Sequence, residues 1–158
     1  DDYAEQLITR INECSVPPSL IEIEITEQAL VDYRPDFVGR ALKRLNEAGV
    51  RIALDDFGTG YSSLSHLRDY PVDVVKIDRS FVARMTADKG VRAIISAVIG
   101  LAHSLKIDVV AEGIETELQK QQLIEEGCRL GQGFYFGEAV AANQIPHVLS
   151  GTKMQLVA

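Results

Sequence analysis

Apolar and polar positions along the chain follow two periods, one typical of helices and one typical of strands. Residues 3–13 carry apolar side chains at helical spacing, and Pro17-Pro18 ends that segment. Residues 20–25 then alternate apolar and acidic side chains with the period of two expected of a strand. The same succession recurs along the rest of the sequence, which predicts parallel strands joined by helical crossovers.

The pattern predicts five strands, and we expect them at residues 20–25, 50–54, 72–77, 107–111 and 128–130. We expect helices at residues 3–13, 36–48, 91–105, between 116 and 127 and at 143–149, with a brief helix ahead of the third strand. Because no linker or low-complexity segment interrupts this order, the chain is expected to belong to one domain.

Polar and glycine residues mark several expected helix ends. Asp36 is placed as an N-cap, and Gly49 as the C-terminal stop of the same helix. Thr116 and Gln119 have the spacing of a capping box, and Gly127 would end that helix. The helix at 91–105 is expected to bury one apolar face, formed by Val91, Ile94, Ile95, Val98, Ala102 and Leu105.

Each predicted strand delivers charged or amide side chains at or near its C-terminal end. These residues are Glu24 and Glu27, Asp55 and Asp56, Lys76, Glu112 and Glu115, and Gln132. In a parallel barrel the strand ends form one rim where such side chains converge, whereas an open sheet would spread them along an edge. The positions therefore favour an α/β barrel over an open doubly wound sheet.

Several carboxylates on one rim repel one another unless cations neutralise them. Hard divalent cations bind carboxylate and amide oxygens, and no His or Cys stands at these strand ends. The pattern therefore favours Mg²⁺ or Mn²⁺ over Zn²⁺. Asp55 and Asp56 could serve two ions, and two ions about 3.5–4 Å apart suit in-line attack on a phosphodiester.

Each of these residues also has a purely structural interpretation. Acidic residues after strands often cap the next helix, and Asp55, Asp56 and Glu115 could each do only that. Lys76 could be the ion-pair partner of a neighbouring acid, or it could orient an attacking water. The glycine-rich residues 58–60 lack the ending of a P-loop, so they are expected to form a flexible loop over the rim.

Charge and composition narrow the classes of partner. The net charge of −7 argues against broad binding to nucleic acid polymers, but metal ions could still bring in a small anionic ligand. No apolar run approaches the roughly 20 residues needed to span a bilayer, so no membrane contact is expected from this segment. Cys14 and Cys128 are expected to be reduced, as in a cytoplasmic protein. The start Asp1-Asp2, without Met, suggests a piece of a longer protein.

Residues 55–64, with the sequence DDFGTGYSSL, resemble the signature loop of EAL domains. Residues 24–27, 75–78 and 110–116 resemble three further motifs of that family and stand in the same order. Gln132-Gly133 and the three aromatic residues after it resemble the family's late Gln-Gly-Tyr segment. The resemblance covers nearly the whole chain, and it implies a TIM-like barrel that hydrolyses cyclic di-GMP to linear pGpG with two Mg²⁺ or Mn²⁺ ions.

The resemblance also implies residue roles. It makes Glu24, Asp55, Asp56 and Glu112 metal ligands, with Asp55 between the two ions and Asp56 on the second. Lys76 would orient the water, which Glu112 would assist as base or ligand. Glu115 and Gln132 would complete the outer shell, and Glu27 would anchor the loop at 57–64, which links dimerisation to the active site. Asp78, Arg79 and Phe134 would contact the substrate, although core packing is the alternative for the aromatic residues 134–136.

The sequence departs from the family in two places. The Glu-Ala-Leu segment and an Asn-bearing strand should precede residue 1, so residues 1–158 are expected to be the C-terminal part of one EAL domain with about five of eight barrel strands. Such a piece is expected to be inactive alone. Arg129 and residues 137–139 stand where an acidic residue and a proline-containing end are expected.

Three functions stay open on the sequence alone. The first is an active phosphodiesterase in bacterial second-messenger signalling, and the second is a degenerate EAL domain that binds cyclic di-GMP without cutting it. The third is a scaffold that acts by dimerising. The resemblance implies a homodimer and the possibility of GGDEF or sensor domains in the parent protein, located in the cytoplasm, with membrane anchoring of the parent left open.

Overall fold

The computed structural model describes residues 2–32, 35–58 and 64–151. Its strands form one five-stranded sheet in the order β1-β2-β3-β4-β5. They are β1 (Glu22–Thr26), β2 (Arg51–Phe57), β3 (Val74–Ile77), β4 (Asp108–Ala111) and β5 (Leu130–Gly131). The helices are α1 (Asp2–Glu13), α2 (Glu27–Asp32), α3 (Pro35–Glu47), α4 (Leu64–Asp69), α5 (Arg79–Arg84), α6 (Lys89–Leu105), α7 (Glu117–Glu125) and α8 (Ile145–Gly151). Two short 3₁₀ helices lie at Pro18–Leu20 and Ala142–Gln144.

Every pair of neighbouring strands is parallel and consecutive in sequence. Each crossover therefore returns the chain one strand further in the same direction, as in a TIM-like barrel, whereas a doubly wound sheet reverses its strand order. Within the described residues β1 and β5 are the edges of the sheet, so it forms part of a barrel rather than a closed one. The predicted fold class and the five strands are confirmed.

The hydrophobic core lies between the central strands and the helices that cross over them. Ile52, Ala53 and Leu54 of β2 are fully buried, as are all four residues of β3. Near-continuous burial of this kind is typical of parallel strands covered on both faces. Edge strand β1 is different, because half-buried isoleucines alternate with exposed glutamates along most of its length.

The apolar face of α6 is narrower than predicted. Val91, Ile95, Ile99 and Ala102 are buried, which confirms the helical period. Ile94 is 50% exposed and Leu105 44% exposed, so including these two in the buried face was wrong. Ile99, which the prediction left out, takes its place because the buried stripe follows spacings of three and four residues.

The predicted helix ends are partly confirmed. The amide of Gln119 donates to Oγ1 of Thr116 at 3.3 Å, and the amide of Thr116 donates to Oε1 of Gln119 at 3.0 Å, which is the predicted capping box. Gly49 and Gly127, with φ of 90° and 92°, lie just after α3 and α7 in the left-handed region. Asp36 is not an N-cap, because α3 already begins at Pro35 and Asp36 lies in its first turn.

Two strand and helix assignments also change. β2 does not end ahead of the acidic pair but continues through Asp55 and Asp56 to Phe57. The six-residue helices α2 and α5 were not predicted, because a helix of fewer than two turns shows too little periodicity. None of the described helices combines the length and the apolar character that crossing a bilayer requires.

Candidate active site at the upper rim

The C-terminal ends of the strands, here called the upper rim, carry a cluster of charged side chains centred on Lys76. Its Nζ atom lies 2.6 Å from Oε1 of Glu24, 2.6 Å from Oε1 of Glu112 and 3.7 Å from Oδ1 of Asp55. These carboxylates come from β1, from β2 and from the residue after β4. Three elements that are far apart in sequence thus meet at one ammonium group.

Strand register explains why these side chains share a face. Glu24 pairs with Ala53, two residues before Asp55, and Ala53 pairs with Val74, two residues before Lys76. Side chains two residues apart on a strand point to the same side of a sheet. The period of two therefore places the glutamate, the aspartate and the lysine on one face.

Lys76 is buried, with 6% of its side chain exposed. Burial alone lowers the pKa of Lys76, but hydrogen bonds to Glu112 and Glu24 and the charges nearby raise it further than burial lowers it. The net result is a pKa above the ordinary value for lysine. Lys76 is therefore a fixed positive charge at neutral pH.

A bulge in β2 shapes the acidic pair. Pairing with β3 shifts register between Leu54 and Phe57, so Asp55 and Asp56 occupy the irregular stretch. Asp56 has φ of 55°, which is rare for a residue with a side chain, and its amide donates to Oδ1 of Asp55 at 2.9 Å. Such backbone strain persists where the surroundings hold it and is frequent at functional sites.

The environment of Asp56 disfavours its charged form. Burial contributes most to raising the pKa of Asp56, followed by the negative charges of Asp55 and Asp78, while Lys76 and Arg79 lower it. The charges of these four residues therefore act on the Asp56 carboxylate, and the net result is a raised pKa.

Gln132 links the last strand to this cluster. Its Nε2 donates to Oε1 of Glu112 at 2.6 Å, so that oxygen accepts from both Gln132 and Lys76. Its backbone amide also donates to the carbonyl of Ala111 at 2.9 Å. Gln132 therefore lies beside the carboxylates of the upper rim.

Glycines permit the close packing around Glu112. Gly113 has φ of 66°, and a Cβ there would lie 2.4 Å from Cβ of Arg79, the first residue of α5. A Cβ at Gly133 would lie 2.2 Å from the carbonyl oxygen of Ile114. Side chains at either position would push α5 or the segment after β5 away from the rim.

The other predicted site residues lie at the periphery of the cluster. Glu115 is exposed, and Arg79 is exposed at the start of α5. Asp78 is the N-cap of α5, because its Oδ1 accepts the amide of Ser80 at 3.0 Å. Asp78 thus has a structural role that the sequence analysis missed, because Asp is a favoured N-cap residue but the short helix α5 was not predicted.

The aromatic residues after Gln132 do not belong to the core. Phe134 is 72% exposed, Tyr135 38% and Phe136 53%, so the alternative of core packing was wrong for all three. The hydroxyl of Tyr135 donates to Glu117, and Nζ of Lys120 lies 5.1 Å from the centre of the Tyr135 ring. This contact between α7 and the segment after β5 had no signal in the sequence.

Glu27 opens α2 and is 4% exposed. The loop at 57–64 that it was expected to anchor includes residues 59–63, which lie outside the described residues, so this expectation stays a prediction. Cys14 and Cys128 are both free thiols, as predicted.

The donor set fits a hard divalent cation by its chemistry, because Glu24, Asp55 and Glu112 direct carboxylate oxygens towards one positive charge. Within residues 2–32, 35–58 and 64–151, however, no group of three or more His, Cys, Asp or Glu side chains is arranged to hold a metal ion. The oxygens surround the ammonium of Lys76 instead. A cation at this rim would therefore need these side chains to rearrange.

The opposite, N-terminal ends of the strands form a lower rim with a similar pattern of ion pairs. Nη2 of Arg51, the first residue of β2, lies 2.7 Å from Oδ2 of Asp108, and its Nε lies 3.4 Å from Oε2 of Glu22. All three side chains are open to solvent, with 42% of Arg51, 55% of Asp108 and 36% of Glu22 exposed. The lower rim therefore has a bridging cation whose side chain, like those of its partners, is at least one third exposed.

The chain is similar to known proteins in both sequence and fold. The sequence profile of the EAL domain matches residues 1–139. The cyclic di-GMP phosphodiesterase RocR of Pseudomonas aeruginosa is 38% identical over 149 residues, which cover 94% of this chain and 38% of RocR. The chain spans well under half the length of the curated relatives that it matches.

Solved structures agree with this assignment. The EAL domain of Mycobacterium smegmatis DcpA superposes with a TM-score of 0.88 at 38% identity, over 95% of this chain and 67% of that one. The manganese and cyclic di-GMP complex of Klebsiella pneumoniae BlrP1 superposes with a TM-score of 0.81 at 35% identity, over 87% of this chain and 35% of that one. The resemblance stated from the motifs is confirmed, and the chain belongs to the EAL domain family.

Proposed function

We propose that the protein containing this chain hydrolyses cyclic di-GMP to linear pGpG at the upper rim, with divalent cations held by the rim carboxylates. The observation that carries the proposal is the convergence of Glu24, Asp55 and Glu112 on the single ammonium of Lys76. The name of RocR and the ligands of the BlrP1 complex support the substrate and the class of cation.

Four carboxylates would hold the ions, which we propose to be two Mg²⁺ or Mn²⁺ ions. They are Glu24, Asp55, Asp56 and Glu112. Bound divalent cations would supply Lewis acidity and a water of lowered pKa. The position of Asp55 and Asp56 in one bulge supports a shared role, because the bulge holds two adjacent carboxylates beside the same lysine.

The chain's own groups would then position the reactants. Lys76, which stays protonated at neutral pH, would orient the attacking water, and Glu112 would assist it as base or ligand. The hydrogen bond from Gln132 would fix the rotamer of Glu112. Glu115 would belong to the outer shell, and Glu27 would anchor the loop that begins after Phe57.

Substrate contacts would come from the periphery of the rim. Arg79 offers an exposed guanidinium for phosphate, and Asp78 lies near Asp56, whose pKa it helps to raise. The exposed ring of Phe134 offers a surface on which a guanine can stack.

We further propose that residues 1–158 are the C-terminal part of a single EAL domain and that this segment alone does not hydrolyse cyclic di-GMP. The two unpaired edges of the described sheet, β1 and β5, support this, because additional barrel strands would cover them. A homodimer and GGDEF or sensor domains in the parent protein are the partners we propose.

The test separates binding from turnover in the intact protein. Cyclic di-GMP binding is measured by calorimetry with Ca²⁺, and pGpG formation is measured by chromatography with Mg²⁺ or Mn²⁺. We expect binding together with pGpG formation that EDTA stops. Binding without product would favour the alternative of a non-catalytic cyclic di-GMP receptor, and the lack of both would leave only the scaffold.

A further inference from the structure

Two of the oxygens proposed to hold divalent cations already accept short hydrogen bonds from Lys76. The ammonium lies 2.6 Å from Oε1 of Glu24 and 2.6 Å from Oε1 of Glu112, and 3.7 Å from Oδ1 of Asp55. A carboxylate oxygen that faces a buried ammonium at hydrogen-bond distance is not free to face a metal ion in the same direction. The ammonium and a divalent cation would therefore draw on the same two carboxylates.

Burial makes this overlap consequential. Only 6% of the Lys76 side chain, 16% of the Glu112 side chain and 21% of the Asp55 side chain are exposed, whereas 49% of the Glu24 side chain is exposed. Charges in such surroundings are screened weakly, so their attraction and repulsion are stronger than at a wet surface. One ammonium also leaves the three carboxylates with an excess of negative charge, which attracts a second cation.

We propose that Lys76 is a resident cation of the upper rim that keeps Glu24 and Glu112 assembled and competes with divalent cations for their oxygens. This inference rests on the proposed function, since it concerns the metal affinity of the same site. Lys76 is in this respect a positioning residue. It would hold the carboxylates close to their working arrangement and would at the same time weaken metal binding, because an arriving ion has to displace the ammonium.

Competition and a merely structural ion pair predict opposite effects on metal affinity. If Lys76 only stabilises the fold, its removal loosens the carboxylates and leaves the metal affinity unchanged or weaker. If Lys76 competes, its removal frees Oε1 of Glu24, leaves Oε1 of Glu112 with the hydrogen bond from Gln132 alone, and raises the metal affinity. Arg51 at the lower rim provides a matched control, because it bridges carboxylates of other strands without contacting the proposed ligands.

The test measures Mn²⁺ binding in the intact protein, stripped of metal with EDTA and then dialysed. Electron paramagnetic resonance of free Mn²⁺ gives the affinity of the wild type, Lys76→Met, Lys76→Arg and Arg51→Met. We expect Lys76→Met to bind Mn²⁺ about tenfold more tightly. A change of this size is typical of the coupling free energy between two binding events. Lys76→Arg and Arg51→Met should stay near the wild type. Equal or weaker Mn²⁺ binding by Lys76→Met would overturn the proposal.

A second measurement needs no variant that must fold without its lysine. In wild-type protein with ¹⁵N-labelled lysine, the buried and hydrogen-bonded ammonium of Lys76 should give a slowly exchanging NMR signal, assigned by its loss in Lys76→Arg. We expect saturating Mg²⁺ to shift this signal and speed its exchange with water. A signal unchanged at saturating Mg²⁺ would mean that the ammonium is not displaced, which contradicts competition.

The outcomes distinguish this inference from the proposed function. If Lys76→Met binds Mn²⁺ more tightly while the wild type forms no pGpG, the competition is upheld and the enzyme refuted. If the wild type forms pGpG while Lys76→Met binds Mn²⁺ with unchanged affinity, the enzyme is upheld and the competition refuted. Absence of Mn²⁺ binding from all four proteins would refute both.

Discussion

Each rim of the sheet has carboxylates from different strands that are bridged by one cationic side chain, and the cation differs between the rims. At the lower rim Arg51 bridges Glu22 and Asp108, and each side chain is at least one third exposed. At the upper rim Lys76 bridges Glu24 and Glu112, with Asp55 nearby, and the lysine itself is buried. Both cations start from strands and reach carboxylates on strands to either side.

The difference lies in what each arrangement costs. An exposed ion pair contributes about 0–1 kcal/mol, because water solvates its charges well without the partner. A buried charge loses that solvation, so removing one partner of a buried pair costs about 3–5 kcal/mol. The ion pairs of the lower rim therefore stabilise the fold weakly. The upper rim brings several charged side chains together although stability does not require it, and such clusters are frequent at functional sites.

The largest expected difference between the rims is in catalysis. Asp55→Asn should reduce pGpG formation in the intact protein by about 10³-fold or more, because the neutral amide loses the charge that the proposed ions need. Asp108→Asn, the matched change at the lower rim, should leave turnover at the wild-type level. Substantial activity in Asp55→Asn, measured by chromatography of the products, would contradict the metal assignment.

The next difference is in stability. Lys76→Met should lower the free energy of unfolding in EDTA by about 3 kcal/mol, since it leaves carboxylates at the rim without their counter-charge. Arg51→Met should lower it by less than about 1 kcal/mol. Denaturation by urea followed by circular dichroism checks both. Equal losses would show that burial of Lys76 adds nothing to the strength of its ion pairs.

A smaller effect of opposite sign is expected at Asp56. Its folded pKa is raised, so the carboxyl contributes stability that is fully present below the unfolded pKa and is lost as the pH rises through the folded pKa. At pH 7 Asp56→Asn should therefore stabilise the fold by about 0.5 kcal/mol, since solvent screens part of the effect. Asn also tolerates the left-handed backbone of Asp56.

The pH dependence of this gain is its control. The advantage of Asp56→Asn should shrink as the pH falls through the raised folded pKa of Asp56, and it should be gone below the ordinary aspartate range, where the wild-type carboxyl is also neutral. Urea denaturation at a series of pH values measures it, and a gain that is constant with pH would assign the effect to the backbone alone.

The smallest expected difference concerns salt. Raising the ionic strength from 0.1 to 1 M shortens the screening length from about 10 to about 3 Å. The stability lost in Arg51→Met should then fall towards zero, whereas the loss in Lys76→Met should fall less, because Glu112 and Asp55 are largely buried although Glu24 is half exposed. Repeating the urea denaturation in NaCl rather than in guanidinium salts makes this measurement possible.

The sequence was sufficient for features that depend on local order along the chain. The alternation of apolar and acidic residues indicated β1, and the spacing of Thr116 and Gln119 indicated the start of α7. The rim itself was predictable, because parallel strands bring their C-terminal ends together. Lys76 was open to two interpretations, and its ion pairs with three carboxylates now establish the structural one without excluding the catalytic one.

Features set by tertiary contacts were not predictable. The end of β2 was placed too early because Asp55 and Asp56 have low strand propensity, and only pairing with β3 continues the strand to Phe57. The exposure of Phe134 was left open between substrate contact and core packing, because apolarity alone does not say which large residues the core includes. The capping role of Asp78 depends on α5, which was too short to be detected.

The bulge between Leu54 and Phe57 also fixes the number of residues between these two positions. Phe57 pairs with Ile77 only because the acidic pair takes up the irregular register. Deleting or adding a single residue there would turn Phe57, the last residue of β2, to the other face of the sheet. The number of residues in this short stretch is therefore constrained, in addition to their chemistry.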